Sequence, residues 1–253
     1  MKISIITCAL NSEITIKKSI RSIQKQNYKN IEHLIIDGGS TDKTLEIIKK
    51  TKKKNLNLYS SRDKGFYHAL NKGIKYTTGN IVGVLNSDDF YKNNDILKII
   101  ADTFKHTKAD LVYGDLLYVK KDYPFKLIRY WKAGQYSKEK LFKGWMPPHP
   151  TVFVKKKIFA KIGFYKTDYK ISADYDFLVR IFNCKNINQV YVPKVLINMR
   201  IGGMSNRSFK NLIIKSFEDY QIIKKNKIGG LFTLFNKNFS KLRQFFNINT
   251  IIN

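Results

Sequence analysis

The residues of this sequence best suited to chemistry are Asp88 and Asp89, adjacent carboxylates that come shortly after the apolar run Ile81–Leu85. A strand that ends at the carboxyl edge of an α/β sheet places the residues after it where such sheets bind ligands. Carboxylate oxygens suit Mg²⁺ or Mn²⁺, which bind the diphosphate of a nucleotide substrate. The pair therefore predicts a metal site, although Ser87 and the two aspartates are also residues that begin turns.

A second apolar run, Ile31–Ile36, also ends in a carboxylate, at Asp37. Polar residues at 40–42 are N-cap candidates for the next helix, whereas Asp37 precedes a Gly-Gly turn and is too early to cap. We therefore expect Asp37 to be free to meet a ligand. The first apolar run leads in the same way into polar residues, Thr7 and Asn11.

Several short motifs, in this order and spacing, resemble those of the family-2 nucleotide-sugar glycosyltransferases over roughly the first 90 residues. They are Ser4-Ile5-Ile6-Thr7, Asn11, Gln26, segment 36–42, Asp63-Lys64-Gly65, Asn71-Lys72-Gly73 and segment 85–89. Segments 149–151, 172–180 and 200–205 resemble the acceptor-side motifs of the branch that builds bacterial surface polysaccharides. The resemblance implies an inverting enzyme that uses Mn²⁺ or Mg²⁺. It would move one sugar from a UDP-sugar to a glycan or polyprenyl-diphosphate-linked acceptor in O-antigen or capsule synthesis.

The resemblance also assigns the two central roles of this chemistry. It implies that Asp88, Asp89 or both contact the metal and the ribose, although this chain has Asn86 where many relatives have the first Asp of a D-x-D motif. Inverting transfer also needs a base for the acceptor hydroxyl, and Asp174 matches the family's base position. Asp174 and Asp176 open a helical pattern, where a carboxylate can equally act as a cap. Asp176 is expected to face elsewhere and to support the helix.

The family pattern places six further side chains in the nucleotide pocket: Thr7, Asn11, Asp37, Asp63, Lys64 and Asn71. Asp37 would accept the N3–H of uracil, a donor that cytosine lacks, which favours a UDP-sugar. Lys64 is alternatively a solvated loop charge, the commoner position of a lysine.

Two residues downstream carry weaker predictions. His149 follows two prolines, in a stiff loop that would reach the sugar or the acceptor, and it is alternatively structural. Arg200 and the segment 202–205 resemble a mobile loop that closes over the diphosphate, for which the fork of donors on arginine is suited. Arg200 is alternatively an exposed charge at a strand end.

The alternation of strand-like and helical patterns predicts an α/β fold of the GT-A (Rossmann-like) type, with a mostly parallel sheet covered by helices on both faces. Strands are expected at 2–7, 31–36, 55–60, 80–85, 109–119, near 126–131 and at 187–200, and helices at 13–25, 42–53, 66–77, 94–105, near 155–162 and at 173–183. The catalytic domain is predicted at 1–203, with a nucleotide-binding half at 1–105 and an acceptor-side half at 106–203. A basic C-terminal helical extension would follow at 204–253.

The net charge is strongly positive: 47 Lys and Arg against 19 Asp and Glu give +28. Such a field attracts polyanions. Because there is no zinc-finger spacing, RNP-like aromatic motif or basic zipper, we expect no nucleic-acid partner. A nucleotide sugar and an anionic membrane surface account for the charge equally well.

The C-terminal tail has an amphipathic pattern. Its large apolar residues recur at helical spacing with basic residues beside them: Phe232, Phe235, Phe239, Leu242 and Phe246, flanked by Lys237, Lys241 and Arg243. This face would lie on an anionic membrane or pack onto the catalytic domain. There is no apolar run long enough to span a membrane, and the opening apolar run stops at Asn11 without a cleavage site. We expect a cytoplasmic protein, peripheral at the inner face of the cell membrane.

Two other classes of function fit parts of the sequence. A sugar-1-phosphate nucleotidyltransferase would share the sheet and the metal, but it should begin with a Gly-rich phosphate loop, and residues 5–20 contain no Gly. A non-catalytic protein that binds polyanions or nucleic acid would explain the charge but leave Asp37, Asp88, Asp89 and Asp174 without a role. No pattern in the sequence predicts an oligomeric state.

Overall fold

The structure is a computed structural model that describes residues 1–120, 126–202 and 209–246. The strands are β1 (Ile3–Ala9), β2 (Ile31–Asp37), β3 (Leu56–Ser60), β4 (Ile81–Val84), β5 (Phe90–Tyr91), β6 (Leu111–Val119), β7 (Leu127–Trp131), β8 (Phe153–Lys155) and β9 (Gln189–Arg200). The helices are α1 (Ile16–Gln24), α2 (Thr44–Thr51), α3 (Phe66–Tyr76), α4 (Ile96–Thr107), α5 (Lys138–Phe142), α6 (Ile158–Ile162), α7 (Ala173–Asn183), α8 (Phe209–Lys225) and α9 (Leu231–Phe246), with a 3₁₀ turn at His149–Thr151.

The strands form one sheet in the order β3-β2-β1-β4-β8-β6-β9-β5, with β7 paired to β6. β1, β2, β3 and β4 pair in parallel, as their alternation with helices predicts. The second half of the sheet is mixed, because β8 runs antiparallel to β4 and β6, and only β6 and β9 pair in parallel there. The predicted parallel sheet therefore holds for the nucleotide-binding half.

Helices cover both faces of the sheet, as predicted. Alternate residues of β1 point to opposite faces, so that Ile5 packs in the core layer of α4 and Ile6 in the layer of α3 and α7. Both faces of β1 are buried, which explains its nearly continuous apolar sequence.

The elements missed by the sequence analysis are short. β5 and β8 have two and three residues, and α5 has five, too few to show a period of 2 or 3.6. β8 occupies the start of the helix expected near 155–162, so that helix is reduced to α6.

The C-terminal helices pack on the rest of the chain. Ile222, Ile223 and Ile228 lie in the same buried cluster as Phe177 and Phe182 of α7. The expected boundary at 203 and 204 falls outside the described residues. Among the helices that the structure describes, none is both long and apolar enough to cross a membrane.

Candidate active site

The loops that follow β1, β2 and β4 meet at the carboxyl edge of the sheet. The hydroxyl groups of Ser12 and Ser87 are 2.9 Å apart, and the Ser12 N–H donates to Thr44 Oγ1 at 2.7 Å. Ser19 of α1 donates its hydroxyl to the Asn86 carbonyl at 3.1 Å. The segment that carries the two adjacent aspartates is therefore held by α1 and by the loop after β1, which is itself bonded to the start of α2.

Asp89 is fully buried, with both carboxylate oxygens bonded. One oxygen accepts the Asn86 amide N–H at 2.8 Å, and the other accepts the backbone N–H of Arg200 at 3.1 Å. Burial, and then the charge of Asp88, raise the pKa of Asp89 to about 8. Asp88 is half-buried, so the geometry favours Asp88 as the carboxylate that an entering cation meets. The metal role of Asp89 stays a prediction.

Arg200 is buried rather than exposed, and it lies beside this pair. Its guanidinium donates to the Asp88 carbonyl oxygen at 2.8 Å and stands 5.6 Å from the centre of the Phe90 ring. Lys18 lies 3.9 Å from the same ring, and burial, followed by the charge of Arg200, lowers the pKa of its ammonium to about 8. Two cations thus flank the acidic segment. Of the expected mobile loop, residues 203–205 lie outside the described residues.

No cluster of three or more His, Cys, Asp or Glu side chains converges as a metal cage in residues 1–120, 126–202 and 209–246. A cation at Asp88 would therefore take its other oxygens from a bound diphosphate and from water.

Asp37 is not free, contrary to the expectation. Its carboxylate accepts the backbone N–H groups of Gly39 and Ser40, each at 3.1 Å, and the hydroxyl of Ser60 at 2.7 Å. The Ser40 hydroxyl donates to it as well. A turn that follows immediately after a carboxylate can use it as an acceptor, which the helix-cap argument overlooked. The contact of Asp37 with uracil stays a prediction.

Asn11 joins the loops after β1 and β2. Its backbone is in the left-handed region, with φ of 47°, which asparagine tolerates better than most residues. Its Oδ1 accepts the Thr41 N–H and its own N–H donates to Ser40 Oγ, both at 2.9 Å. Asn11 therefore shapes one wall of the cleft.

Thr7 and Asn71 face the protein and not the expected nucleotide. Thr7 is fully buried, and its hydroxyl lies 3.0 Å from His33 Nε2. The Asn71 amide makes two hydrogen bonds with the Tyr165 backbone, donating at 2.7 Å and accepting at 3.0 Å. The side-chain contacts expected for both residues are thus replaced by internal ones.

Asp63 and Lys64 lie at the entry to α3. Lys64 is exposed, and the Asp63 carboxylate lies 3.8 Å from Lys72 Nζ. The second oxygen of Asp63 is buried and accepts no hydrogen bond from the described part of the chain. Asp63 therefore keeps an acceptor available for a ligand, whereas Asp37 does not.

Asp174 lies in the first turn of α7, beside an aromatic cluster. Its Oδ1 accepts the Tyr175 N–H at 2.8 Å and lies 3.4 Å from the Tyr67 hydroxyl, which donates to the Ile171 carbonyl at 2.6 Å. Burial, and then the charge of Asp174, raise the pKa of Tyr67 well above its usual range. Tyr67 thus remains a neutral donor beside a half-buried carboxylate.

His149 belongs to this cluster, through Tyr165. Its Nε2 lies 2.7 Å from the Tyr165 hydroxyl, and the Tyr165 ring stacks on the Tyr67 ring at 6.1 Å. Burial lowers the pKa of His149, while the charge of Asp174 opposes this shift. Sequence reasoning did not single out Tyr67 and Tyr165, because nothing local marks them and Tyr67 is 107 residues from Asp174 in the chain.

Asp176 turns away from this cluster, as expected. It is fully buried and pairs with Lys166 Nζ at 3.0 Å and Arg180 Nε at 2.7 Å. Asp176 therefore supports α7, which leaves Asp174 as the carboxylate of this helix that faces the cleft.

Tyr118, at the end of β6, connects the two acidic centres. Burial raises its pKa, the charge of Arg129 opposes this shift, and the charges of Asp89 and Asp174 both raise the pKa further. One phenol thus lies within electrostatic reach of both carboxylates.

Sequence comparison matches most of this chain to a known family. The profile described as Glycosyl transferase family 2 matches residues 4–164. A PGL/p-HBAD biosynthesis glycosyltransferase of Mycobacterium bovis is 29% identical over 208 residues, covering 80% of this chain and 78% of the relative. An uncharacterized glycosyltransferase of Rickettsia prowazekii is 30% identical over 227 residues, covering 87% and 69%.

Solved structures confirm the GT-A fold. S. aureus TarS 1–349 in complex with UDP-GlcNAc superposes with a TM-score of 0.66 at 20% identity, covering 89% of this chain and 65% of that one. The mannosyltransferase PcManGT from Pyrobaculum calidifontis, in complex with GDP-Man and Mn²⁺, gives 0.64 at 17% identity, covering 88% and 63%. This chain thus spans a little under two thirds of the length of both structures.

Proposed function

Because the chain belongs to glycosyl transferase family 2, we propose that it is an inverting glycosyltransferase that moves one sugar from a UDP-sugar to a lipid-linked glycan acceptor. One observation carries the proposal: half-buried Asp88 lies beside the cation Arg200, half-buried Asp174 lies beside the Tyr67 hydroxyl, and the charges of Asp89 and Asp174 both act on the Tyr118 phenol. These are the two functions that inverting transfer requires, since the leaving diphosphate needs positive charge and the acceptor hydroxyl needs a base.

Asp88 is the proposed ligand of Mn²⁺ or Mg²⁺. The fit rests on the carboxylate chemistry of half-buried Asp88 and on the neighbouring positive groups, Arg200 and Lys18, which suit a diphosphate. When bound, the cation would neutralise charge on the leaving diphosphate. The complexes of TarS with UDP-GlcNAc and of PcManGT with GDP-Man and Mn²⁺ support a nucleotide-sugar donor and a divalent metal.

The base of the donor nucleotide is proposed to lie against Asp63. Its buried second oxygen accepts no hydrogen bond from the described residues and can take the N3–H of uracil. Asp37 would first have to release the Ser60 or loop donors that it already holds. We therefore propose Asp63, rather than Asp37, as the acceptor of the uracil N3–H.

Asp174 is the proposed base. The acceptor oxygen forms its bond to the anomeric carbon as the bond from that carbon to the diphosphate oxygen breaks, and the hydroxyl proton passes to the Asp174 carboxylate. Attack opposite the leaving group inverts the anomeric centre. The Tyr175 N–H donates to the carboxylate, the Tyr67 hydroxyl lies 3.4 Å from it, and His149 belongs to the same cluster through Tyr165.

The acceptor is proposed to be presented at the inner face of the cell membrane. α9 turns polar residues inward and apolar residues outward: Thr233 and Lys237 are buried, whereas Phe232, Phe235 and Phe239 are 72%, 65% and 45% exposed. Exposure of these three rings favours the membrane surface over packing onto the domain, and the side chains of Leu242 and Phe246 lie outside the described residues. The sequence predicted that Lys237 flanks the aromatic face. That prediction is wrong, because Lys237 is buried against Asp219.

α8 extends the apolar surface. Leu212, Ile213 and Phe217 are exposed by 46%, 56% and 62%, and they line a groove whose other wall includes Leu234 of α9. We name these three residues and the three exposed phenylalanines of α9 the outer apolar face. An aromatic surface on a chain of net charge +28 suits an anionic bilayer. The M. bovis relative, named for PGL/p-HBAD biosynthesis, supports an envelope glycolipid as the acceptor class.

The direct test is donor binding, followed by transfer. Calorimetry with a panel of UDP-sugars and GDP-mannose, in Mn²⁺ and in EDTA, should show Mn²⁺-dependent binding of a UDP-sugar, and that donor should then support transfer to a lipid extract. A sugar-1-phosphate nucleotidyltransferase would instead form UTP from the UDP-sugar and pyrophosphate. Salt-dependent binding of polyanions without binding of any nucleotide sugar would contradict the proposal.

A further inference from the structure

Glu218 of α8 accepts three consecutive backbone N–H groups from the loop that leads into α7. Its Oε1 accepts from Lys170 at 2.7 Å, and its Oε2 accepts from Ile171 at 3.0 Å and Ser172 at 2.8 Å. The carboxylate is buried, so water does not compete for these donors. The three amides end two residues before Asp174.

This carboxylate binds the backbone that leads up to the N-cap of α7. Ser172 is the residue before α7, and its side chain makes no capping hydrogen bond, while its own N–H donates to Glu218. Within the helix, Asp174 Oδ1 accepts the Tyr175 N–H. A carboxylate near a helix start is favoured by its charge and by the helix dipole, and hydrogen bonds to an ionised acceptor are roughly twice as strong as neutral ones. The approach to α7 is therefore positioned by another helix.

The same loop carries the contact that orients Asp174. The Ile171 carbonyl accepts the Tyr67 hydroxyl, and that hydroxyl lies 3.4 Å from Asp174 Oδ1. Because Glu218 binds the N–H of Ile171, a shift of this loop would move both the helix start and the acceptor of Tyr67. The position of Asp174 thus depends on Glu218 through two routes.

We propose that Glu218 is a positioning residue for Asp174, and that α8 is part of the catalytic unit rather than an appendage to it. The proposal rests on the proposed function, because it takes Asp174 as the base. Glu218 does not reach the cleft itself, since its carboxylate is enclosed by the loop at 170–172.

The first test compares Glu218→Gln and Glu218→Ala with a matched control. Gln keeps the volume and one acceptor oxygen, so the fold should persist, but its NH₂ group faces N–H donors. We expect kcat to fall about tenfold in Glu218→Gln and further in Glu218→Ala, because misplacement of a reacting group by about 1 Å costs on the order of 10²-fold. The dissociation constant of UDP in Mn²⁺ should not change.

Asp110→Asn is the control. The Asp110 carboxylate also accepts a backbone N–H, from Asn188 at 3.3 Å, and pairs with Lys155 at 3.4 Å, but it has no contact with α7 among the described residues. This variant should keep the wild-type kcat even if it loses some thermal stability.

A double-variant cycle separates positioning from a general structural effect. If Glu218 acts through Asp174, then Glu218→Gln combined with Asp174→Asn should have the kcat of Asp174→Asn alone. If kcat of the double variant instead falls by the product of the two single-variant losses, the proposal is wrong. Wild-type kcat in folded Glu218→Ala would overturn it as well.

Hydrogen exchange supplies a measurement independent of transfer. The amides of residues 170–172 should exchange slowly in the wild type and markedly faster in Glu218→Ala, while the central strands keep their protection. Unchanged exchange of these amides in Glu218→Ala would show that Glu218 does not hold the loop at 170–172 in solution. If Glu218 does hold the loop at 170–172 but the wild type transfers no sugar from any donor, the proposed function fails, and the positioning role fails with it.

Discussion

Lys237 of α9 forms a buried ion pair with Asp219 of α8, and its ammonium lies 3.7 Å from the centre of the Tyr175 ring. Burial lowers the pKa of Lys237, and the charge of Asp219 opposes the shift. A lysine from the tail thus connects both C-terminal helices to the residue that follows Asp174. The buried pair fixes the orientation of α9, with Lys237 on its inward face and the aromatic rings on its outward face.

Breaking this pair should destabilise the protein strongly. Lys237→Ala leaves Asp219 buried without its partner, which costs about 3–5 kcal/mol in the free energy of unfolding. Lys237→Met combined with Asp219→Leu removes both charges and should recover most of that loss. Urea unfolding of the single and double variants measures both values. Equal stability of Lys237→Ala and the wild type would show that the pair is not formed in solution.

Phe232, Phe235 and Phe239 should hold the protein on anionic vesicles. Replacing all three with Ser removes apolar area from the outer apolar face without disturbing the buried Lys237, whereas deletion of residues 230–253 would expose Asp219. We expect the triple variant to leave phosphatidylglycerol vesicles in co-sedimentation, while Tyr76→Ser, an exposed aromatic on α3, stays bound. If instead the wild type is a dimer that the triple variant converts to a monomer, a second copy covers this face and not a membrane.

The two adjacent aspartates should respond differently to mutation. Asp88→Asn should weaken Mn²⁺-dependent UDP binding at least about tenfold, because charge-assisted contacts are roughly twice as strong as neutral ones, and leave binding in EDTA unchanged. Asp89→Asn should mainly lower the unfolding temperature, since it disturbs the bonds to Asn86 and Arg200. Calorimetry of UDP binding in Mn²⁺ and in EDTA tests both variants. If UDP binding still depends fully on Mn²⁺ in Asp88→Asn but not at all in Asp89→Asn, Asp89 is the metal ligand instead of Asp88.

His33 should make stability depend on pH. Burial lowers its folded-state pKa to about 3, below an unfolded value of about 6.5. The neutral ring is favoured in the folded state, so its stabilising effect is complete above pH of about 6.5. As the pH falls from about 6.5 toward 3, this contribution to the free energy of unfolding is lost by about 1.4 kcal/mol per pH unit. His33→Gln should lack this slope in urea unfolding between pH 4 and 6. Parallel slopes in the two proteins would contradict the assignment.

Sequence reasoning succeeded where a signal is local. The strand at 31–36 and the helix at 173–183 were predicted almost to the residue, because their apolar periods and end signals lie within them. The supporting role of Asp176 also follows from its place on that helix. Asp88 and Asp89 stand out because they follow a strand end, and Asp174 because it matches the family pattern at a helix start; their roles stay predictions.

Sequence patterns do not predict the contacts of a side chain whose partner is distant in the chain. Asn71 bonds to the backbone of Tyr165, 94 residues away, and Glu218 binds a loop 46 to 48 residues before it. Asp37 was judged by its distance to the next helix, while its real donors are in the turn beside it and on β3. Periodicity reports which residues are buried but not which polar groups meet there.

Asp174 is the residue on which the account depends most, and Asp174→Asn tests it most directly. The amide keeps the shape of the side chain and accepts the Tyr175 N–H, but it cannot take the acceptor proton. Donor affinity should persist while turnover falls by about 10²-fold or more, the usual contribution of a general base. Asp102→Asn, an exposed carboxylate on α4, should turn over at the wild-type rate. An Asp174→Asn enzyme that transfers sugar at close to the wild-type rate would contradict the account.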